Sequence, residues 1–382
     1  MGWLPAPASR GRGRAHRVFH PLAGADLRVL AGLLAKAGPI PPGRWHVPAL
    51  ALATAIGRLP FTLAEAAAAR RLPARESLPA PIFVVGYWRS GTTHLSNLLS
   101  RHDGFGILPP IAVGLPQEAL GLARLVRPFI EQFYPETRLI DRVPLAPDLP
   151  QEDELAIANL SPWSFYHGVY FPRRAGDWLA PGLFLDGAGP DGLRRFAATL
   201  ERYLVKMTVQ QGRRPLLVRN PAHSARIALI RSIWPDARFI HVHRDPLTVY
   251  ASAVRMFRTL FRELAIQEAE IDVEALVLET YPALMGRLLQ DFAALPPGLG
   301  CTVRFEDVER DPLGQLERIF TELNLPGFAD GLPKFQAHLR AVASYRKAEH
   351  RLPADEITLV RRRWRPFIER WGSRMEPAAT QR

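Results

Sequence analysis

84-VVGYWRSGTT-93 is the stretch on which the reading of this chain turns. Gly86 and Gly91 stand at the spacing of the triphosphate loop G-x-x-x-x-G-K-[ST], but Thr92 occupies the place of the lysine that reaches the β- and γ-phosphates. Arg89 sits inside the loop instead. A glycine loop running into a helix N-terminus offers backbone N–H groups to an anion. Arg89 adds a fixed positive charge, and Ser90, Thr92 and Thr93 add hydroxyl donors. Such a loop suits a phosphate and lacks the lysine that a γ-phosphate needs.

The flanks give the loop its frame. The run Ile82 to Val85 is short, apolar and β-branched, as a buried parallel strand requires. Beyond Thr92 the period changes, and Leu95, Leu98 and Leu99 fall on one helical face. The same grammar returns in 215-PLLVRNPAHSARIALIRSIW-234: a strand at 216–218, then Arg219, then Asn220 as N-cap and Pro221 at N1. It returns again in 237-ARFIHVHRDPLTVYASAVRMF-257, with a strand at 239–243, then Arg244, Asp245 as cap and Pro246. A fourth strand is expected at 301-CTVRFED-307, with a helix behind it. Alternating strands and helices imply an α/β fold of the P-loop-like, three-layer kind. Its central parallel sheet is flanked by helices and carries helical insertions. Ligands bind such sheets at the carboxyl ends of the strands, where Gly86, Arg219 and Arg244 would all lie.

Around this frame, residues 1–77 are read as a basic arm followed by a helical segment, and residues 78–382 as the catalytic domain. Within the latter, 104–212 form a substrate-side insertion. The segment 24–72 has two readings: a helix packed on the domain, or an amphipathic element in peripheral contact with a membrane. The apolar run Val47 to Gly57 is too short to span a bilayer and is followed by Arg58, so no membrane-crossing helix is expected. Neither a signal-peptide order nor a myristoylation pattern is present at the N-terminus, and the single cysteine, Cys301, fits a reducing compartment and a buried strand position. The expected location is therefore cytoplasmic, at the membrane periphery in the second reading of residues 24–72. A net charge of +12 points to anionic ligands. The aromatic-plus-basic pattern of nucleic-acid binding is missing, so no nucleic-acid partner is expected.

Arg244 and Ser252 offer a second anion site, because nearly two helical turns separate the Asp245 cap from Ser252 and bring both to one face. The plainer alternative is a surface arginine and a packing serine. Two phosphate sites, no loop lysine and no evident metal site suit a nucleotide with phosphates at separate positions, such as 3′-phosphoadenosine 5′-phosphosulfate. At this point the chain resembles the PAPS-dependent sulfotransferases, in particular the bacterial branch related to glycan and tyrosylprotein sulfotransferases. The stretches PIFVVGYWRSGTTHLSNLL and ARFIHVHRDPLTVYAS carry the resemblance, together with PDLPQEDELAI, VRNPAHSARI and VRFEDVERDP, in the family's order over about residues 80–370. The resemblance implies that Arg89, Ser90, Gly91, Thr92 and Thr93 bind the 5′-phosphosulfate and that Arg244 and Ser252 bind the 3′-phosphate. It also implies a late basic loop on the nucleotide, for which Arg346 and Lys347 are the candidates, and no metal cofactor. The family usually carries lysine where this chain has Arg219. Arginine keeps the charge that would stabilise the transferring group but replaces a point charge by a planar fork.

Sulfuryl transfer needs a group to take the acceptor's proton. Glu152, Asp153 and Glu154 stand at an expected helix start, where acids are also favoured by the helix dipole. The resemblance places a catalytic carboxylate in this region, with Glu152 first and Glu154 second. His223 is a rival base, or else a histidine that only packs and hydrogen-bonds at a helix start. His94, Asp245 and Glu306 read as packing, capping and loop-organising residues. The expected partner is a hydroxyl- or amine-bearing glycan, lipid or small molecule, and Trp163, Phe165, Tyr166, Tyr170 and Phe171 are either its contacts or core. Two alternatives stay open: a P-loop kinase, and a catalytically inactive nucleotide- or glycan-binding protein.

Overall fold

The computed structural model describes residues 20–133, 146–342 and 352–372. Two N-terminal helices, α1 (Leu27–Lys36) and α2 (His46–Ala69), precede strand β1 (Ile82–Val85) and helix α3 (Thr92–Leu99). The long insertion holds helices α4 (Leu122–Ile130), α5 (Glu154–Leu160) and α6 (Gly189–Gln210), with further helices between the last two. Then come β2 (Leu217–Arg219), α7 (Ile227–Ile233), β3 (Arg238–His243), α8 (Pro246–Leu264), α9 (Val273–Ala293), β4 (Gly300–Arg304), α10 (Phe305–Arg310) and α11 (Pro312–Glu322). Helices continue through Phe328–Val342, Ala354–Arg363 and Arg365–Trp371.

The strands form a parallel sheet in the order β2-β1-β3-β4. Ile82 pairs with Leu217 on one side and Arg238 on the other, so β1 lies at the centre. Its side chains alternate: Ile82 and Val84 pack with Leu217, Ile240, Val242 and Val303 on one face, Phe83 and Val85 with Val218 and Phe239 on the other. Both faces of the central strand are covered, which is why β1 reads as an unbroken apolar run, whereas β3 carries two histidines and β4 exposes Thr302. Cys301 is buried in β4 as a small hydrophobe. The fold is the α/β, three-layer arrangement expected from the sequence.

Differences from expectation lie where distant segments meet. After Asn220 the chain makes a 3-10 turn, Pro221–Ala225, before α7 begins. Asn220 does cap that turn, accepting from the Ala222 N–H, and Asp245 caps α8 through Thr248 N–H. Phe165, Tyr166, Tyr170 and Phe171 are core rather than exposed. Helix α2 runs on through Arg58 to Ala69, and with the turn before it spans Pro42–Ala69, long and apolar enough by length and composition to cross a membrane. The expectation of a run too short to span stopped at Arg58; in the structure that arginine is turned inward, where Leu30, Leu33, Ala51 and Ala55 share the large core. Residues 1–18, read as a basic arm, lie outside the described residues.

Candidate functional site

In the order β2-β1-β3-β4 the chain leaves β1 in one direction and β3 in the other, so the crevice beyond the carboxyl ends of β1 and β3 is the switch point of the sheet. The loop after β1 and the residues after β3 flank it. Gly86 has φ +143°, and a Cβ there would stand 2.3 Å from the carbonyl oxygen of Val242. Gly91, at φ +104°, would place a Cβ 2.0 Å from Phe305. Both positions need glycine for the loop to turn tightly against its neighbours. Between them Arg89 itself adopts φ +69°, and α3 starts at Thr92, so loop amides and a helix N-terminus come together as an anion cradle. Ser224 ties the loop's start, accepting from Gly86 N–H at 2.8 Å and donating to Gly86 O at 3.2 Å.

Side chains from three strand ends converge here. Arg89 donates from Nε to Ser252 Oγ at 2.9 Å. Arg244 donates from Nη1 to the Arg89 carbonyl at 3.4 Å and lies over the Phe305 ring, 4.8 Å from its centroid. Burial lowers the pKa of Arg244, and the neighbouring Arg89 charge acts in the same direction against the pull of Glu306. The Arg89 charge near Arg244 is a standing repulsion that a bound anion would relieve. Arg219, 1% exposed, donates to Thr93 Oγ1 and approaches Pro150 O at 3.5 Å. Ser90 Oγ is buried with no hydrogen-bond partner among the described residues, a donor held ready for a ligand.

The acids sort themselves by burial. Glu152 forms a parallel bridge to Arg219, and its carboxylate is 3.9 Å from the Arg219 guanidinium, with the side chain 13% exposed. Asp153 is buried and accepts from His223 Nε2 and Asn220 Nδ2, both at 2.8 Å. Glu154 is buried too, bound by Arg226 at 2.8 Å, Asn220 at 2.9 Å and Ser164 at 2.8 Å. His223 is fully buried, edge-on to Phe83. Of the four catalytic candidates, Glu152 and Arg219 stand together at the edge of the sheet. Glu154 and His223 stand behind them in a closed polar network. Thr92 and Thr93 open α3 at the loop. His94 packs against Phe305, and Glu306 accepts from Asp245 N–H at 3.0 Å. Arg346 and Lys347 lie outside the described residues.

Sequence reasoning singled out neither Asp153, Arg226 nor Ser224 as support for the site. One signal was available: Arg226 is a charged residue directly before the apolar run of α7, a place where an arginine is either exposed or specifically paired.

A family model described as the sulfotransferase family matches residues 81–330, a span that contains the loop, Glu152, Arg219, Arg244 and Ser252. The chain belongs to the sulfotransferase family. Two similar members of that family are omega-hydroxy-beta-dihydromenaquinone-9 sulfotransferases Stf3, from Mycobacterium bovis and Mycobacterium tuberculosis. Each is 31% identical over 296 residues, covering 76% of this chain and 75% of the relative. Among solved structures, sulfotransferase STF9 from Mycobacterium avium superposes with a TM-score of 0.65 at 18% identity, over 93% of this chain and 98% of that one. Sulfotransferase STF1 from Mycobacterium tuberculosis gives 0.61 at 19%, over 94% and 98%. At these identities the two structures establish the sulfotransferase fold.

Proposed function

We propose that this sulfotransferase moves a sulfuryl group from 3′-phosphoadenosine 5′-phosphosulfate to the hydroxyl of a lipid. The observation that carries the donor is the contact between the loop after β1 and α8, Arg89 to Ser252 with Arg244 beside them, because it joins two anion-binding elements in one crevice. Ser90 Oγ, buried and without a hydrogen-bond partner among the described residues, and the two close-packed glycines fit a phosphosulfate approaching the loop backbone. In this reading Arg89, Ser90, Gly91, Thr92 and Thr93 hold the 5′ side of the donor, and Arg244 with Ser252 holds the 3′-phosphate. A P-loop kinase is the weaker reading, since Thr92 stands where the triphosphate lysine would be.

Glu152 takes the acceptor proton. It is the acid of the trio that keeps solvent access, and it lies beside Arg219. Asp153 and Glu154 are committed to His223, Asn220 and Arg226, so their oxygens have no reach toward an acceptor. As the acceptor oxygen bonds to sulfur and the bond from sulfur to the phosphate oxygen breaks, Glu152 receives the proton. Arg219 and Arg89 then offset the negative charge gathering on the leaving phosphate. Asn220, Asp153 and Arg226 fix the wall from which Glu152 projects. A lipid acceptor is favoured because similar proteins are named for a menaquinone-derived substrate.

The test is a transfer assay with sulfur-labelled PAPS and a fractionated lipid extract. Label is expected in a lipid fraction, and Arg89→Ala is expected to abolish it. Label confined to water-soluble glycans would reject the lipid assignment, and equal donor binding by Arg89→Ala would reject the site.

A further inference from the structure

Helix α2 is inverted relative to an ordinary surface helix. Between Val47 and Ala69 its only charged residues are Arg58 and Glu65, and both are buried. Arg58 pairs with Glu118 at 2.6 Å and donates to Ala25 O at 2.8 Å. Glu65 pairs with Lys206 at 2.6 Å and accepts from the N–H groups of Leu120 and Gly121. Even the two threonines turn inward, Thr54 to the carbonyl of Ala23 and Thr62 to Glu118. What faces outward is Ala49, Ala53, Ile56, Pro60, Leu63 and Ala67, an apolar stripe. Ile56 is 58% and Leu63 62% exposed. A water-facing stripe normally carries the polar residues. A continuous apolar one marks an interaction surface.

We infer that α2 docks this protein on an anionic lipid bilayer, lying in the membrane plane with this stripe against the acyl chains. Chemistry favours lipid over protein as the occupant. Protein interfaces carry roughly one hydrogen bond per 100–200 Å². The stripe offers no side-chain donor or acceptor, and a hydrocarbon phase asks for none. The helix is about 36 Å long at 1.5 Å per residue, enough for an extended interfacial footprint. Its ends suit the headgroup layer: Trp45 is exposed before it, and Arg70 and Arg71 are exposed after it. The sequence before His20 adds Arg10, Arg12, Arg14 and Arg17 and no acid. Nearby α4, preceded by the residues tied to Glu65, exposes Leu125 and Phe129 one turn apart. Helix α2 does not cross the membrane, because its inner face is pinned to the domain by two buried ion pairs that would be costly in hydrocarbon. The inference rests on this surface and not on the identity of the acceptor, though a bilayer is where a lipid acceptor would be met.

Flotation of the full chain with phosphatidylcholine–phosphatidylglycerol vesicles tests it, with adenosine 3′,5′-bisphosphate binding as an independent check on the fold and the donor site. The wild type is expected to float with anionic vesicles. The exposed double substitution Ile56→Glu, Leu63→Glu is expected to cut partitioning by roughly tenfold or more while leaving bisphosphate affinity unchanged. Docking is overturned if the wild type stays in the lipid-free fraction, or if the double variant floats as well as the wild type. It is equally overturned if sedimentation velocity shows a dimer that the substitutions dissociate while neither form binds vesicles, since the stripe is then a contact between two copies.

Discussion

The guanidinium of Arg89 meets the hydroxyl of Ser252 at 2.9 Å across 163 residues of chain. Arg89 comes from the loop after the central strand, Ser252 from the second turn of the helix after its neighbour. Neither position is held by a local pattern. The parallel pairing of β1 with β3 brings the two together, and the contact fixes a side chain that would otherwise carry considerable rotamer freedom. The site is thus partly assembled before any ligand arrives.

Pre-assembly makes the two residues energetically coupled. Arg89→Ala is expected to weaken adenosine 3′,5′-bisphosphate binding by roughly 10- to 100-fold, the scale of a charge-assisted hydrogen bond, and Ser252→Ala by roughly 3- to 10-fold. Titration calorimetry on both single variants and the double variant measures the coupling. The double variant should lose clearly less than the product of the two single losses. Simple multiplication would mean that the Arg89–Ser252 contact does not shape the donor site.

Glu152 and Glu154 separate chemistry from architecture. Glu152→Gln is expected to reduce turnover by about 10²- to 10⁴-fold with bisphosphate binding retained, as for loss of a proton acceptor. Glu154→Gln leaves Arg226 buried and unpaired, with an expected stability loss of about 3–5 kcal/mol. Turnover of labelled PAPS and urea unfolding of both variants read this out. Full activity in Glu152→Gln would remove it as the base.

The first three strands were legible because each is a short, largely apolar run punctuated by Gly86, Arg219 or Arg244, and the central strand is covered on both faces. The caps Asn220 and Asp245 were legible because capping is a contact over two or three residues. The division of labour among Glu152, Asp153 and Glu154 was not. It depends on Asn220, His223 and Arg226, more than 60 residues away, and no periodicity carries that information. The inversion of α2 was hidden for the same reason. Arg58 looks like the end of an apolar run until Glu118 is seen opposite it.

Gly91 should tolerate no side chain. An added Cβ would strike Phe305, whose ring carries the Arg244 guanidinium, and the backbone is left-handed there. Gly91→Ala is expected to cost about 2 kcal/mol or more in urea unfolding and to weaken bisphosphate binding as Arg244 shifts. Gly57→Ala, in the middle of α2 with nothing within 4 Å, is the matched control and should be neutral or stabilising. A Gly91→Ala variant that binds like the wild type would show that the loop is not held against Phe305.

Acid should destabilise this protein through His241. The ring is buried in β3 against Phe292, Trp371 and His243, and neither nitrogen has a hydrogen-bond partner among the described residues. Burial, helped by the nearby His243 and Arg370, holds its pKa down at about 3. In the unfolded chain the ring takes up a proton as the pH falls through about 6.5. The unfolded state therefore binds more protons between those values. The contribution to stability is complete above about pH 6.5 and declines by about 1.4 kcal/mol per pH unit below it. His20 and His243, each held down to about 4 chiefly by burial, act in the same direction. Unfolding in urea at about pH 7.5 and about pH 5 should show the wild type losing about 2 kcal/mol more than His241→Leu, in which carboxylate contributions are unchanged. Equal losses in the two proteins would mean that His241 is protonated in the folded state.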